Sequence, residues 1–595
     1  MSIDIEEINK KFQNIINTEF PTPNLDDALK LKLLIIELIA TKGKNMRDVK
    51  YKHSFSGKNS YIMQSFHHLV AQKDPDIHES DEDNLRDVLK IKTCKSHSGV
   101  LVITIFTSPY PEYTDKNTNE KKKQEFSCSW NCAYCPNEPG QPRSYLCGEP
   151  GVLRANRNAF VCVKQMWDRM RSLYLIGHNV DKLEVLVLGG TWTSYPLEYR
   201  EEFCRDVYFA ANTFWDKSHE RRDPLSIQEE KLINKTARTK VIGLTLETRP
   251  DTITPDELRR LRLYGCTRVQ LGIQHIDNDV LNTIKRRCTT EIVINAIKLL
   301  KDNCFKIDGH WMPNLPGSSP EKDRDMLIDT LLGMKTPIIK RYSKGDENWE
   351  EYQLSHPELQ LDQWKVYPCA IVPWTEIQQW YKEGKFTPYS EDDLVDILLT
   401  MKSLIFPWIR LNRIIRDIPK DYIIASSDKS NLRQELKVML EKEGKTCNCI
   451  RCREVKTNDW NGKYVLTIRQ YDGSDGKETF ISAESIDNKV LYGFVRLRFP
   501  SHDQSIVFDE LKGCALIREL HVYGNLTKTF KDEVDTLSPH VQHRGIGKRL
   551  MLKAEEISKR NNFGSIAVIA GEGTKSYYEN LGYHDYGSFM VKKIK

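Results

Sequence analysis

The sequence has no apolar run approaching the ~18 residues a bilayer span requires, and it opens on Met1-Ser-Ile-Asp-Ile-Glu-Glu, acidic where a secretory signal is basic. A membrane-spanning or secreted protein is therefore not expected, nor a membrane partner. The expected location is cytoplasmic, with the nucleus as a second compartment. Internal repeats and low-complexity tracts are also missing, so neither a repeat array nor a disordered chain is in view. Strong charge of one sign is missing too: 88 Lys and Arg against 83 Asp and Glu leave a net +5. Overall charge thus permits a nucleic-acid partner without demanding one.

What is present is ordinary globular material: 595 residues, 39% hydrophobic and 29% charged, with a mean hydropathy of −0.54. At roughly 100–200 residues per domain this allows three to five domains, or fewer if one is a large barrel. Cysteine is not scarce. Of the fifteen, six fall into two tight groups, Cys128/Cys132/Cys135 and Cys447/Cys449/Cys452, and the rest are scattered singly. In a large reduced protein this pattern points to metal ligation rather than to disulfides.

The fold class expected is α/β. Residues 1–95 are rich in Lys, Leu and Ile, with Leu31, Leu33, Leu34, Ile35, Leu38 and Ile39 at helical spacing, and predict a small helical domain. Over 96–410, strand-like runs at 100–106, 183–188, 241–246, 268–273, 305–310 and 361–367 alternate with helix-length segments, which predicts βαβ units and a partial TIM-like (β/α) barrel. Residues 411–460 form a linker holding the second cysteine group. Residues 461–595 predict a mixed α/β domain with strands at 464–470, 490–499, 515–523 and 566–569 and a helix after Gly547.

Cys128-Ser-Trp-Asn-Cys132-Ala-Tyr-Cys135 places three thiolates in one loop. Fe–S clusters normally take four, so a [4Fe-4S] cluster here keeps one iron open, the site a radical S-adenosylmethionine (SAM) enzyme uses for its cosubstrate. A zinc knuckle or three packed cysteines is the competing reading. Gly189-Gly190 at one strand end would let backbone approach the methionyl group, and Glu247 and Arg249 at another would pair with its polar ends. Near the C-terminus, Gln542-His-Arg-Gly545-Ile-Gly547 opens a helix beginning at Lys548, an arrangement that points backbone N–H groups at a pyrophosphate. Acetyltransferases of the GNAT superfamily hold coenzyme A this way. The strand around Glu519–Val522 precedes that loop and Tyr577-Tyr578 follows it; a core tyrosine is the plainer reading of Tyr578.

Taken together, the chain resembles, over nearly its whole length, the family of the catalytic subunit of the Elongator complex, which joins a radical-SAM barrel to a GNAT domain in this order. The stretches carrying the resemblance include Leu188-Gly-Gly-Thr191, Glu247-Thr-Arg-Pro-Asp251, Tyr264-Gly-Cys-Thr-Arg268, Lys365-Val-Tyr-Pro368, Arg416-Asp-Ile-Pro419 and Arg518-Glu-Leu-His-Val-Tyr-Gly524. In other members the first cysteine often lies further upstream of the second than Cys128 does here.

The resemblance implies a [4Fe-4S] cluster on Cys128, Cys132 and Cys135, and acetyl-CoA contacts at Lys182, at Glu519, Leu520, His521 and Val522, at Ile546, Gly547 and Lys548, and at Tyr578. It implies an enzyme that modifies C5 of the wobble uridine of tRNA. A 5′-deoxyadenosyl radical from SAM takes hydrogen from the acetyl methyl, the carbon radical adds at C5, and hydrolysis leaves a carboxymethyl group. Lys182, Lys365 and Tyr578 are the candidate catalytic residues; Lys365 binds an anionic group or orients substrate, or is simply a solvated lysine. The helical N-terminal domain, with Arg410, Arg413, Arg416 and Arg433, is expected to meet phosphates of the anticodon stem-loop, against the plainer reading of a solvated face. Cys447, Cys449 and Cys452 suit a structural zinc whose fourth ligand is not identifiable. Elongator-type partner subunits or a homodimer are further expectations. Two rivals stand beside this reading: a protein lysine acetyltransferase acting on histones, with a relic barrel, and a non-catalytic tRNA-binding scaffold.

Overall fold

The computed structural model describes residues 23–43, 46–90, 99–216, 220–333, 339–345, 347–426, 431–455, 463–501, 503–524 and 545–595. The N-terminal unit is helical, with α1 (Leu25–Ala40), α2 (Asn59–Ala71) and α3 (Glu82–Leu89). Asn24 caps α1 by accepting the Asp27 N–H at 2.7 Å, and Asp26 and Asp27 sit where the helix dipole favours acid. Ala28, Leu31, Leu34, Ile35 and Leu38 turn inward onto Ile62, Phe66, Leu85 and Leu89. Leu33, which the sequence places on the same stripe, faces outward at 67% exposure, because at 3.6 residues per turn it lies on the opposite side of the helix from Leu31, Ile35 and Leu38.

The second unit is built from β1 (Val100–Phe106), β2 (Lys182–Leu188), β3 (Lys240–Thr248), β4 (Arg268–Gln274) and β5 (Lys306–Trp311). The chain then makes β6 (Ile339–Lys344) and β7 (Glu347–Tyr352) and returns for β8 (Gln363–Val366) and β9 (Arg410–Arg413). The seven strands β1-β2-β3-β4-β5-β8-β9 form one sheet in that order, and every neighbouring pair is parallel. Helices cross over between them, including α4 (Cys162–Tyr174), α5 (Leu197–Asn212), α6 (Pro255–Leu263), α7 (Thr290–Asp302) and α8 (Glu391–Leu404). This is the partial barrel expected. Along β2, Leu183, Val185 and Val187 are buried among core residues that include Met166 and Val207 of the crossover helices, while Lys182 and Glu184 take the other face.

The third unit carries β10 (Val465–Gly473), β11 (Gly476–Glu484), β12 (Leu491–Phe499), β13 (Cys514–Val522), β14 (Ser565–Val568), β15 (His584–Tyr586) and β16 (Phe589–Lys593), with helices α9 (Ile546–Arg560) and α10 (Lys575–Glu579). Its sheet runs β15-β16-β14-β13-β12-β11-β10-β7-β6. Two expected boundaries shift. β6 and β7 lie inside 96–410, yet β7 pairs in parallel with β10 of this mixed sheet. β9 runs to Arg413, past the expected end of the barrel at 410, because Trp364 and Lys365 of β8 pair with Leu411 and Arg413. A single cluster of buried apolar residues, from Leu101 to Ile594, runs through both sheets.

Candidate active site

The loop after β1 brings Cys128, Cys132 and Cys135 to the carboxyl ends of the parallel strands, where sites in such sheets belong. Backbone bonds fix it: the Ala133 N–H donates to the Ile284 carbonyl at 3.0 Å, and the Ile377 N–H donates to the Ala133 carbonyl at 3.1 Å. Cys128 Sγ lies 3.7 Å from the Thr191 hydroxyl, next to Gly189-Gly190. Both glycines have left-handed backbones, φ 132° and 104°. A Cβ at Gly189 would stand 2.0 Å from the Thr107 hydroxyl, so no side chain fits in that turn.

Cys132 is buried and accepts from Arg249 Nη1 and Arg286 Nη1, each at 3.6 Å. Burial alone would raise its thiol, but the Arg286 and Arg249 guanidiniums prevail and lower it. At Cys135 burial prevails over the nearby Arg143, and the thiol is raised. Arg249 is already engaged: it binds Asp251 at 2.9 and 2.8 Å and the Arg286 carbonyl at 2.7 Å, and it lies 4.3 Å over the Trp130 ring. The sequence reading places it on a cosubstrate; the structure uses it to brace the cysteine loop.

Among the described residues, only Cys447, Cys449 and Cys452 bring three such donors within 4.8 Å of one another. Sulfurs sharing one tetrahedral zinc at 2.3 Å stand about 3.8 Å apart, so that second trio suits a single ion. Cys128, Cys132 and Cys135 are more widely spread, as a cluster giving each thiolate its own iron requires.

Below the cysteine loop, the concave face of the sheet is polar. Arg268 pairs with Glu184 at 2.6 Å and donates to Gln363 Oε1 at 3.0 Å. Lys365 donates to Gln270 Oε1 at 2.7 Å and lies 3.9 Å from Asp308. Glu247 accepts from the Tyr145 hydroxyl at 2.7 Å and stands 3.6 Å from His310. Burial is the leading cause of four shifts here: it raises Glu247 and Asp308 and lowers Lys365 and His310, favouring the neutral form of each. Gln270 Nε2, Asp308 Oδ1 and His310 Nε2 are buried with no hydrogen-bond partner among the described residues. Buried polar atoms without partners are costly unless something else meets them, and three in one lumen mark a place for a polar ligand. Lys365 is therefore not a solvated lysine.

The arginines expected to meet phosphates are mostly engaged. Arg410 binds Glu454 and Tyr523 at 2.8 and 2.9 Å, Arg416 binds Glu149 at 2.6 Å, and Arg433 donates to the Leu411 carbonyl. Only Arg413 of the four keeps its side chain about half exposed, paired with Asp417.

The other expected site lies at the amino ends of the same strands. The ladder between β13 and β14 runs from Cys514↔Ser565 to Ile517↔Val568 and ends there, so the strands part at Glu519, Leu520, His521 and Val522. α9 begins beside this split. Gly545, at φ 74°, precedes it with no side-chain cap, leaving the N–H groups of Ile546, Gly547 and Lys548 for another acceptor. A Cβ at Gly547 would lie 2.7 Å from the Tyr577 hydroxyl and 3.5 Å from Val522. Gln542 falls outside the described residues. Tyr578 is buried on α10, and burial, reinforced by Tyr577, Cys304 and Glu519, pushes its phenol up. Burial opposes ionisation of Glu519, yet Lys306 and Arg496 hold it at about 2. Lys182 stands at the opening of β2, about 20 Å along the strand from the cysteine end. It pairs in register with Lys240, whose Cβ lies 2.5 Å from where a Cβ at Gly573 would be.

The sequence reading misses Arg286, which braces Cys132, and the lumen residues Arg268, Gln270, Asp308 and His310, which lie on strands. Their signal is polar residues at every second position of runs such as Arg268-Val-Gln270 and Asp308-Gly-His310.

The Radical SAM superfamily model matches residues 126–327, and the Radical_SAM C-terminal domain model matches 361–442. Over 510 residues the chain is 34% identical to a tRNA uridine(34) acetyltransferase of Dehalococcoides mccartyi, spanning 84% of this chain and 99% of that protein. Over 520 residues it is 32% identical to human Elongator complex protein 3, spanning 85% and 86%. The chain belongs to the Elp3 family. A solved Elp3 structure, that of Methanocaldococcus infernus lacking residues 1–46, matches with a TM-score of 0.64 at 30% identity, covering 84% of this chain and 100% of that one. The cysteine loop and the strands carrying Glu247, Gln270 and His310 lie within the radical SAM match.

Proposed function

We propose that this protein modifies C5 of the wobble uridine in tRNA, drawing carbon from acetyl-CoA and a radical from SAM. The observation that carries the reading is the presence of two sites in one chain: the cysteine loop at the carboxyl ends of the parallel strands, and the glycine-opened helix beside the splayed strand β13, whose Glu519 lies 3.6 Å from Lys306 at the amino end of β5. The name of the relatives called tRNA uridine(34) acetyltransferase supports tRNA as substrate.

When bound, a [4Fe-4S] cluster supplies reductive cleavage of SAM to a 5′-deoxyadenosyl radical, which no side chain can do. In this reading Cys128, Cys132 and Cys135 hold the cluster, Arg249 and Arg286 offset the charge on Cys132, and Gly189-Gly190 admit the cosubstrate close to the backbone. Gln270, Asp308 and His310 offer their unmatched polar atoms to an uncharged base, and Lys365 orients it. In the third unit the first-turn amides of α9 and Lys548 receive a pyrophosphate, Glu519–Val522 lie along the pantetheine, and Tyr578 keeps its proton at Oη for the thioester end. Lys182 reaches the acyl donor from the barrel rather than joining the chemistry at the cysteine end. Cys447, Cys449 and Cys452 give three of the four ligands of a structural zinc.

Lysine acetylation is the less suitable activity. It needs a base for a group of reference pKa about 10.4, and a carboxylate held at about 2 and paired with Arg496 and Lys306 is a poor one. Anaerobically reconstituted protein given tRNA, acetyl-CoA, SAM and reductant is expected to release 5′-deoxyadenosine and form carboxymethylated uridine. Acetylated peptide with no nucleoside product would reverse the reading.

A further inference from the structure

Trp374 has a left-handed backbone, φ 58°, a conformation bulky residues hold only where the surroundings impose it. Core packing is not what imposes it, because the residue is 44% exposed. Its carbonyl accepts the Asn137 N–H at 3.1 Å, two residues past Cys135. The next residue, Thr375, caps the helix Glu376–Lys382, whose Ile377 N–H is bonded to the cysteine loop at Ala133. The backbone that carries the indole is thus held at the rim of the barrel beside the cysteines.

A second aromatic stands next to it. Tyr422, half-buried, has its ring centroid 6.3 Å from that of Trp374, the planes tilted by 44°. It presses on Gly148, where a Cβ would meet the ring at 2.6 Å. Trp374 comes from the loop after β8 and Tyr422 from the loop after β9, neighbours in the sheet. Lys285, paired with Glu376, lies on the same rim.

We propose that Trp374 and Tyr422 form a stacking platform for an unpaired base adjoining the nucleotide that enters the barrel, a placement that rests on the RNA-modifying reading above. Extruding one base leaves its neighbour with a bare face, and aromatic side chains are what single-stranded RNA recognition uses to cover such faces.

The test uses full-length reconstituted protein and an anticodon stem-loop carrying 2-aminopurine beside the wobble position. Binding is expected to quench the fluorophore. Trp374→Ala should lose the quench and weaken binding by roughly 5- to 150-fold, while Trp374→Phe should keep most of both. Trp374→Gly separates stacking from structure: glycine accepts φ 58° without strain, so its thermal midpoint should not fall although its binding does. If Trp374→Ala and Trp374→Gly bind and quench like wild type, the platform is wrong and the RNA reading stands. If wild type binds no stem-loop, both are wrong. Equal weakening of a fully paired, blunt-ended RNA duplex by Trp374→Ala would also overturn the platform, since that substrate offers no free base.

Discussion

Replacing Asp362 with Asn takes one charge from the ion cluster that joins the two sheets. Asp362, just before β8, accepts two bonds from Arg518 of β13 at 2.7 and 2.6 Å, and the Ile307 N–H at 2.9 Å. Arg518 also reaches Glu478 at 2.9 Å, and Glu478 is shared with Arg498 at 2.9 Å and Lys301 at 3.4 Å. Asp362 and Arg518 are 1% and 0% exposed. Asn keeps the shape but leaves Arg518 under-compensated in a dry setting, which costs about 3–5 kcal/mol. If all 595 residues unfold as one unit at about 2.1 cal/mol/K each, the unfolding entropy is about 1.25 kcal/mol/K, so the midpoint should fall by about 2–4 °C. Scanning calorimetry on wild type, Asp362→Asn, Arg518→Met and the double variant Asp362→Leu/Arg518→Met measures this. The double variant should lose less than the sum of the singles, because it removes the pair instead of orphaning one member. A much larger fall would mean that the sheets unfold separately. A fall under about 0.5 °C for Asp362→Asn, or a double variant as unstable as the sum, would refute the reasoning.

Glu484 is fully buried, and although burial opposes its charge, Arg453 and Arg469 hold it at about 2 against an ordinary 4.5. Because the folded value is depressed, the stabilisation, about 3 kcal/mol, is present above pH about 4.5 and lost as pH falls toward 2. Thermal midpoints should therefore drop less steeply between pH 5 and pH 3 in Glu484→Gln than in wild type. Gly547→Ala places a methyl 2.7 Å from the Tyr577 hydroxyl at the opening of α9, so titration calorimetry should find acetyl-CoA binding at least about 10-fold weaker, a cost of about 1.4 kcal/mol. Cys449→Ser removes the buried member of the compact cysteine trio; elemental analysis should show zinc lost, with a lower thermal midpoint.

The parallel sheet is legible because its first three strands are apolar or alternating runs and the next two, although polar at every second position, are short runs of the same kind bounded by turns. The run at 100–106 coincides with β1, and 268–273 with β4 to within one residue. β6 and β7 are not legible. Ile339-Lys-Arg-Tyr-Ser-Lys344 and Glu347-Asn-Trp-Glu-Glu-Tyr352 are charged and short, and what makes them strands is pairing with each other and, for β7, with β10, more than a hundred residues on. β11 escapes for a related reason: Gly476-Lys-Glu-Thr-Phe-Ile-Ser-Ala-Glu484 reads as loop until β10 and β12 flank it on both sides. Local pattern fixes elements that carry their own hydrophobic period, and tertiary pairing makes the rest.

The same division runs through the site. Three cysteines within eight residues announce themselves because their ligand geometry is local. The lumen does not, because its partners are distant: Lys365 and Gln270 are 95 residues apart, and Tyr145 and Glu247 are 102 apart. Period-two polarity such as Arg268-Val-Gln270 was visible, but alternation says only that one face of a strand is polar. Whether that face meets water or a closed lumen depends on the curvature of the whole sheet. The arginines mislead by the same ambiguity. Arg410 and Arg416 look like a strip for phosphates, yet a guanidinium drawn into a protein must find acids to remain charged there, and Glu454 and Glu149 occupy them. A cationic residue in sequence states what it can bind, and only its burial and the acids beside it decide whether any of that capacity is left for a substrate.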